Sequence, residues 1–249
     1  MSLSNGIHHL AIATADIKQQ IEFFTDVLGM ELVALYWMHG VEGAWHGFMK
    51  LNDASYVAFV QTPDIGRIER TLGVTHAGNA ANPCAGGSMQ HVAFNVDTDD
   101  ELLALRDRIR SRGVTVLGPI DHGMCKSMYF AGPEDLSLEI ATSEKAIDGR
   151  AWIDPEVVGL AGISQAELAR YRTPQPHEGK GGAVPQPPFD PEKPWMRGYP
   201  EEAYKAVVAT PDEVLFERAS ETEPPVKVED QANPTNRPDV EFREPRNAT

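Results

Sequence analysis

The chain repeats itself, and that repeat limits what it can fold into more than any other feature. His9-Leu-Ala-Ile returns as His91-Val-Ala-Phe, and each copy opens the same succession of patterns. In the first copy, residues 7–14 alternate as a strand. Asp16 is placed to cap a helix whose apolar face is Ile17, Ile21, Phe24 and Leu28, and Gly29 ends it. Met30 to His39 is β-prone, Gly40 to Gly43 is a turn, Ala44 to Leu51 returns, and Tyr56 to Gln61 is a fourth strand. The second copy runs from Met89 to Val96, then through a helix on Leu102, Leu105 and Ile109 that Gly113 stops. Arg106, Arg108, Arg110 and Arg112 fall on that helix's solvated side. Val114 to Leu117, Lys126 to Ala131 and Asp135 to Ala141 complete it. Self-similarity of this kind predicts two supersecondary units that share one sheet or one core. The expected fold class is α+β, with two βαβββ modules over 5–62 and 89–145 forming one cupped mixed sheet. A Gly- and Pro-containing connector, 63–88, joins them and holds a short helix near Ile65–Leu72.

From about residue 146 the character changes. Of 19 prolines, fifteen follow residue 150, which favours extended chain broken by short helices. Ser164-Gln-Ala-Glu167 and Thr210-Pro-Asp-Glu213 read as capping boxes, and Tyr199 to Tyr204 as a third helix start. The aromatic content is too high for a free tail. Residues 146–249 are therefore expected to form a Pro-rich C-terminal arm with short helices. It would cover the modules or a second subunit of a homodimer through Trp152, Trp195 and Phe216, with a loose end beyond about Glu221.

A net charge of −15 and a pI near 4.9 argue against nucleic acid or an anionic membrane as partner. No apolar run approaches the roughly 20 residues that cross a bilayer. The first residues lack the basic and apolar regions of a signal peptide, and Cys84 and Cys125 form no paired motif. These features point to reduced thiols and a cytoplasmic protein.

Strand alternation then places the residues that carry chemistry. His9, Ala11 and Ala13 share one face of the first strand, against Leu10 and Ile12 on the other. His91, Ala93 and Asn95 repeat this against Val92, Phe94 and Val96. Near the end of the second copy, Leu136, Leu138 and Ile140 alternate with Ser137 and Glu139. The bulky side of each strand suits a helix, and the small or polar side suits a cavity. Two histidines and a carboxylate with open positions suit a non-haem Fe(II) site, and the same set also holds Zn(II).

The repeated β-α-β-β-β pattern, the histidines at the strand starts and the Tyr129-Phe130…Gly132-Pro133…Leu138-Glu139 hairpin resemble the vicinal oxygen chelate superfamily. Glyoxalases, bleomycin-binding and fosfomycin-resistance proteins and extradiol dioxygenases belong to that group. The resemblance covers roughly residues 5–143. It implies metal ligands at His9, His91 and Glu139, with His8 as a register alternative to His9. Glyoxalase-like members add a fourth ligand at the end of the first module, here at about Phe59, where no residue binds metal. The succession His122, Met128-Tyr129, Pro133, Glu139 resembles the extradiol dioxygenase signature. Gly132 and Asp135 depart from it at the turn and bear on how Tyr129 is aimed. The resemblance implies His122 as general base and then acid, and Tyr129 as the hydrogen-bond partner of a bound substrate oxygen. The expected activity is a dioxygenase taking O2 and a small catechol- or hydroquinone-like aromatic. Fe(II) is the first choice of metal, with Mn(II) or Zn(II) as alternatives. The other readings are a metal-dependent lyase, isomerase or transferase on the same site, and a non-enzymatic small-molecule-binding protein. His39 and His46, beside the Gly40–Gly43 hairpin, read as surface or pocket-wall residues.

Overall fold

The computed structural model describes residues 4–225. The first module contains β1 (His9–Ala13), α1 (Ile17–Asp26), β2 (Glu31–Trp37), β3 (Trp45–Asn52) and β4 (Ser55–Gln61). The second contains β5 (Val92–Val96), α2 (Asp99–Ser111), β6 (Leu117–Asp121), β7 (Lys126–Ala131) and β8 (Ser137–Thr142). The strand orders are β1-β4-β3-β2 and β5-β8-β7-β6. In each sheet the first strand pairs parallel with the last, and the remaining pairs are antiparallel. The α+β fold of two βαβββ modules expected from the repeat is present. Hydrogen bonding divides its sheet into two four-stranded halves, and what the modules share is one core.

Both helices begin on side-chain caps. Asp16 accepts the Gln19 N–H at 3.0 Å, and Thr98 forms with Glu101 a capping box that the apolar periodicity did not reveal. Their apolar faces enter a single cluster. Phe24 is fully buried and packs edge-on against Phe59 of its own sheet at 4.9 Å and Phe94 of the other module at 6.1 Å. Arg108 lies on the side of α2 expected to be solvated, yet its guanidinium donates to the carbonyls of Thr25, Asp26 and Val27 at 3.0–3.2 Å. Those carbonyls lie at the C-terminus of α1, where Thr25 O also accepts the Gly29 N–H at 3.0 Å and a cation meets the negative end of the helix dipole. Arg110 similarly donates to Val116 O at 3.0 Å.

A second tie comes from the turn between β7 and β8. Glu134 sits there at φ 55°, in the left-handed region. Its carboxylate accepts from the Thr14 hydroxyl at 2.5 Å, Ala15 N–H at 2.9 Å and Gln20 Nε2 at 2.9 Å, and pairs with Arg70 at 3.2 Å. Burial acting alone would raise its pKa. The three hydrogen bonds, helped by Arg70, outweigh burial and hold the carboxyl below its ordinary value.

Two elements differ from expectation. β6 begins at Leu117 and runs to Asp121, where the β-prone Val114 to Leu117 was expected to be the strand. The ladder to β7 shifts between Leu117 and Ile120, across Gly118 and Pro119. β6 is an edge strand, so a proline without an N–H is accommodated there at an irregularity. The connector holds only a single turn of 3-10 helix, Ile65–Arg67.

The contacts divide the chain after Pro185 into two compact units. The first takes in three short helices, α3 (Gly149–Trp152), α4 (Pro155–Leu160) and α5 (Gln165–Arg172), and the Ser164–Glu167 capping box is formed at α5. The second unit holds α6 (Glu201–Val208) and α7 (Asp212–Ala219). There Trp195 packs within its own unit, 5.7 Å from Phe189 and 5.5 Å from Tyr204, while Phe216 is exposed. The Thr210 box does not form. Thr210 instead donates its hydroxyl to Ala206 O at the end of α6, and Pro211 caps α7 without a side-chain bond. The expected loose end lies, from residue 226 onward, outside the described residues.

Candidate functional site

The second sheet presents a row of four side chains across its strands. His91 immediately precedes β5 and Glu139 lies on the neighbouring β8, where the parallel register sets Ala93 opposite Glu139. His91 Nε2 and Glu139 Oε2 are 2.9 Å apart, and the Glu139 side chain is only 8% exposed. One strand further, Tyr129 on β7 lies directly across from Glu139. His122, just past the end of β6, reaches it with Nε2 at 2.9 Å from Tyr129 Oη. Burial first, and then the charge of Glu139, push the Tyr129 phenol above its ordinary pKa. Its hydroxyl therefore stays protonated and available as a donor across the neutral range.

The chemistry of the His91–Glu139 pair suits a cation. His91 Nδ1 meets the side-chain oxygen of Gln90, which only accepts, and this leaves Nε2 directed at the carboxylate. Two acceptors at 2.9 Å require a proton or a metal ion between them.

His9 does not join this pair. It stands on the first module beside His8, with Nδ1 atoms 3.0 Å apart, and its ring packs 5.4 Å from Phe48 and 6.1 Å from His46. Among the described residues, no three His, Cys, Asp or Glu side chains are grouped closely enough to hold a metal ion. The structure thus brings His91 to Glu139 and His122 to Tyr129, and leaves His8 and His9 elsewhere.

The fourth-ligand position moves by one residue. β1 pairs with β4 so that Ala11 lies opposite Ala58, as Ala93 lies opposite Glu139. Ala58 is therefore the counterpart of Glu139. Phe59 points to the opposite face, fully buried in the core. Neither residue can bind a metal.

His46 was read as a surface or pocket-wall residue, and it is 9% exposed. Its Nδ1 lies 3.4 Å from Tyr36 Oη, while its Nε2 is buried without a partner. Burial, and then His9, lower its pKa. Tyr36, Phe48 and Tyr56 surround it and His9 in a dense aromatic cluster. Strand period alone could have found this cluster, because His46 and Phe48 share one face of β3. A cleft of about 490 Å³ runs beside β1 between Leu10, Ile65, Arg70, His76, Met89 and Glu134, and none of the candidate ligand residues lines it.

Paired βαβββ modules, with a His–Glu pair beside a His–Tyr pair on one sheet face, define a vicinal oxygen chelate protein. The family model of the Glyoxalase/Bleomycin resistance protein/Dioxygenase superfamily matches residues 6–140, and the chain belongs to that superfamily. Its members are generally enzymes that bind divalent metals and take small-molecule substrates. The chain is 35% identical over 69 residues to biphenyl-2,3-diol 1,2-dioxygenase 2 of Rhodococcus globerulus, covering 28% of this chain and 36% of that protein. It therefore spans about a third of that relative. It is 24% identical to biphenyl-2,3-diol 1,2-dioxygenase 3 of the same organism, over 59% of this chain and 71% of the relative. It is 26% identical to a probable lactoylglutathione lyase of Vibrio parahaemolyticus, over 59% of this chain and 98% of the relative. No helix among the described residues is long and apolar enough to cross a membrane.

Proposed function

We propose that the chain is a non-haem Fe(II)-dependent extradiol-type dioxygenase of catechol- or hydroquinone-like aromatics, at a site completed by two copies of the chain. The observation that carries this reading is the row His91, Glu139, Tyr129, His122, a His–Glu pair beside a His–Tyr pair. His91 and Glu139 of one copy would hold the ion together with His9 of the other. What supports a second copy is that these two lack a third His, Cys, Asp or Glu nearby among the described residues, while His9, Ala11 and Ala13 lie exposed on the first module. The free thiols of Cys84 and Cys125 suit a cytoplasmic setting.

Fe(II) bound there would lower the pKa of a substrate phenol and hold the substrate beside O2. The chain's own residues do the rest. His122 takes the substrate hydroxyl's proton by relay, Tyr129 passing its own proton to His122 Nε2 as it accepts the substrate's, and the reverse shift returns it; an imidazole serves both directions near neutral pH. Tyr129 donates its hydroxyl to the substrate oxygen, and its bond to His122 keeps the proton path short. Mn(II) or Zn(II) would suit the same donors.

Anaerobic loading with Fe(II), followed by metal analysis and O2 uptake with catechols, tests this reading. His91→Ala and Glu139→Ala should each abolish metal binding with the fold intact. His9→Ala should do the same, and co-expressed His9→Ala and Glu139→Ala chains should regain one intact site per pair. Full occupancy in His91→Ala would refute the site. A lyase, isomerase or transferase using Zn(II), Mn(II) or Ni(II) on the same donors is the second reading. It is favoured by the near-complete coverage of the lactoylglutathione lyase relative, and it requires turnover without O2 consumption.

A further inference from the structure

The residues after the second module reach back to the hairpin that carries His122. β6 ends at Asp121 and β7 starts at Lys126, so His122, Gly123, Met124 and Cys125 form the turn between them. His122 N–H donates to Cys125 O at 2.9 Å, and Gly123 N–H donates to Asp121 Oδ1 at 2.7 Å. Gly123 has a φ of +82°, in the left-handed region where a side chain is strained. A Cβ placed on it would also stand 2.9 Å from Cη2 and 3.0 Å from Cζ2 of Trp152. The outer edge of the indole therefore lies against Gly123, where a Cβ would force it to move.

Trp152 is itself fixed. It ends the short helix α3, whose N-cap Asp148 accepts the Arg150 N–H at 2.9 Å and pairs with the Arg150 guanidinium at 2.6 Å. Trp152 is 45% exposed, and the edge of its ring is what meets the hairpin at Gly123.

We propose that Trp152 is a positioning residue for His122. By lying on Gly123 it fixes the turn next to His122, and so keeps His122 Nε2 on Tyr129 Oη. The turn follows an edge strand, and besides the His122 N–H to Cys125 O bond and the Gly123 N–H to Asp121 bond, the edge of Trp152 is what bears on it at Gly123. The proposal rests on the reading that His122 and Tyr129 act together, and it extends the site to a residue beyond the matched modules.

The test uses the full chain with Trp152→Ala and Trp152→Phe, and Tyr129→Phe as the reference for a broken pair. Nitrogen-15 NMR of the histidine rings reads the tautomer of His122 and the hydrogen bond at its Nε2. Trp152→Ala should shift the His122 Nε2 resonance most of the way to its position in Tyr129→Phe, with metal stoichiometry unchanged. Trp152→Phe, which keeps an aromatic ring on Gly123, should shift it less. A His122 signal in Trp152→Ala that matches the unaltered chain would overturn the proposal, as would an equal shift in both Trp152 variants. Failure of the dioxygenase reading would show separately, as absent metal or absent O2 uptake in the unaltered chain.

Discussion

Replacing Glu134 by Gln should separate the modules' mutual hold from the stability of either one. The carboxylate is 10% exposed and accepts three hydrogen bonds from the first module besides pairing with Arg70. Glutamine keeps one oxygen, which can still serve Ala15 and Arg70. Its amide group then faces Gln20 Nε2, a donor meeting a donor, on a side chain that is fully buried and whose Oε1 already lacks a partner. Hydrogen bonds to charged groups are worth about 1.5–3 kcal/mol, and a stranded buried donor costs about 1–3 kcal/mol. The Thr14 hydroxyl can rotate to recover part, so the expected loss is about 3 kcal/mol, or about 6–12 °C in Tm for a unit of this size. Urea melts across pH supply the second half of the test. The folded-state pKa of Glu134 is lowered, so its contribution is fully present above the ordinary carboxylate value of about 4 and fades as pH falls through the folded value. The gap between the two proteins should be level from pH 8 to about 5.5 and close in acid. A gap under about 0.5 kcal/mol at pH 7, or one that widens in acid, would refute the clamp.

Two other substitutions probe neighbouring features. Arg108→Ala should cost about 1–2 kcal/mol in urea melts by stranding the C-terminal carbonyls of α1, and Arg108→Lys should recover only part, since an ammonium cannot span three acceptors in the same plane. His46→Phe should change stability by no more than about 1 kcal/mol at pH 7.5, because a buried ring with an unpartnered nitrogen is replaced by an apolar one of similar shape. Its acid response should differ more. The His46 pKa is lowered in the fold, so below about pH 6.5 protons favour the unfolded chain, and the unaltered protein should lose stability between pH 6.5 and 5 faster than His46→Phe does.

Period 2 put His91 and Glu139 on the sides of their strands opposite Phe94, Leu138 and Ile140, which are buried. That the two strands are neighbours was not in the alternation. Ladder register is not written in that alternation, which is why Ala58, and not Phe59, proves to be the counterpart of Glu139. His46 read as a surface or pocket-wall residue because it stands near a Gly-rich hairpin. β3 runs between β2 and β4, and the aromatic side chains beside it bury the ring. The hold of Glu134 on Thr14 and of Arg108 on α1 joins residues far apart in the chain, and local pattern assigns such side chains to solvent by default. The Trp152–Gly123 contact was hidden for the same reason, in a segment whose prolines suggested an arm independent of the site.

The register also makes the modules comparable position by position, and the comparison bears on why a duplicated fold would carry only one charged face. Phe48 lies opposite Ala58 in the first module where Tyr129 lies opposite Glu139 in the second. Two residues along, His46 lies opposite Val60 where Ser127 lies opposite Ala141. The second module thus supplies a carboxylate and a phenol, and the first supplies neither at the matching places. Had both kept a glutamate, bringing the two faces together would place two carboxylates in one cavity, and mutual repulsion would raise the pKa of one until it protonated and ceased to be a ligand. With Ala58 and Phe48 in those places, the first module can lie against the second without adding negative charge. The first module's Tyr36, Phe48 and Tyr56 rings gather instead around His9 and His46. Divergence at two matched positions is enough to give two similar modules one face with a carboxylate and a phenol and one face of aromatic rings.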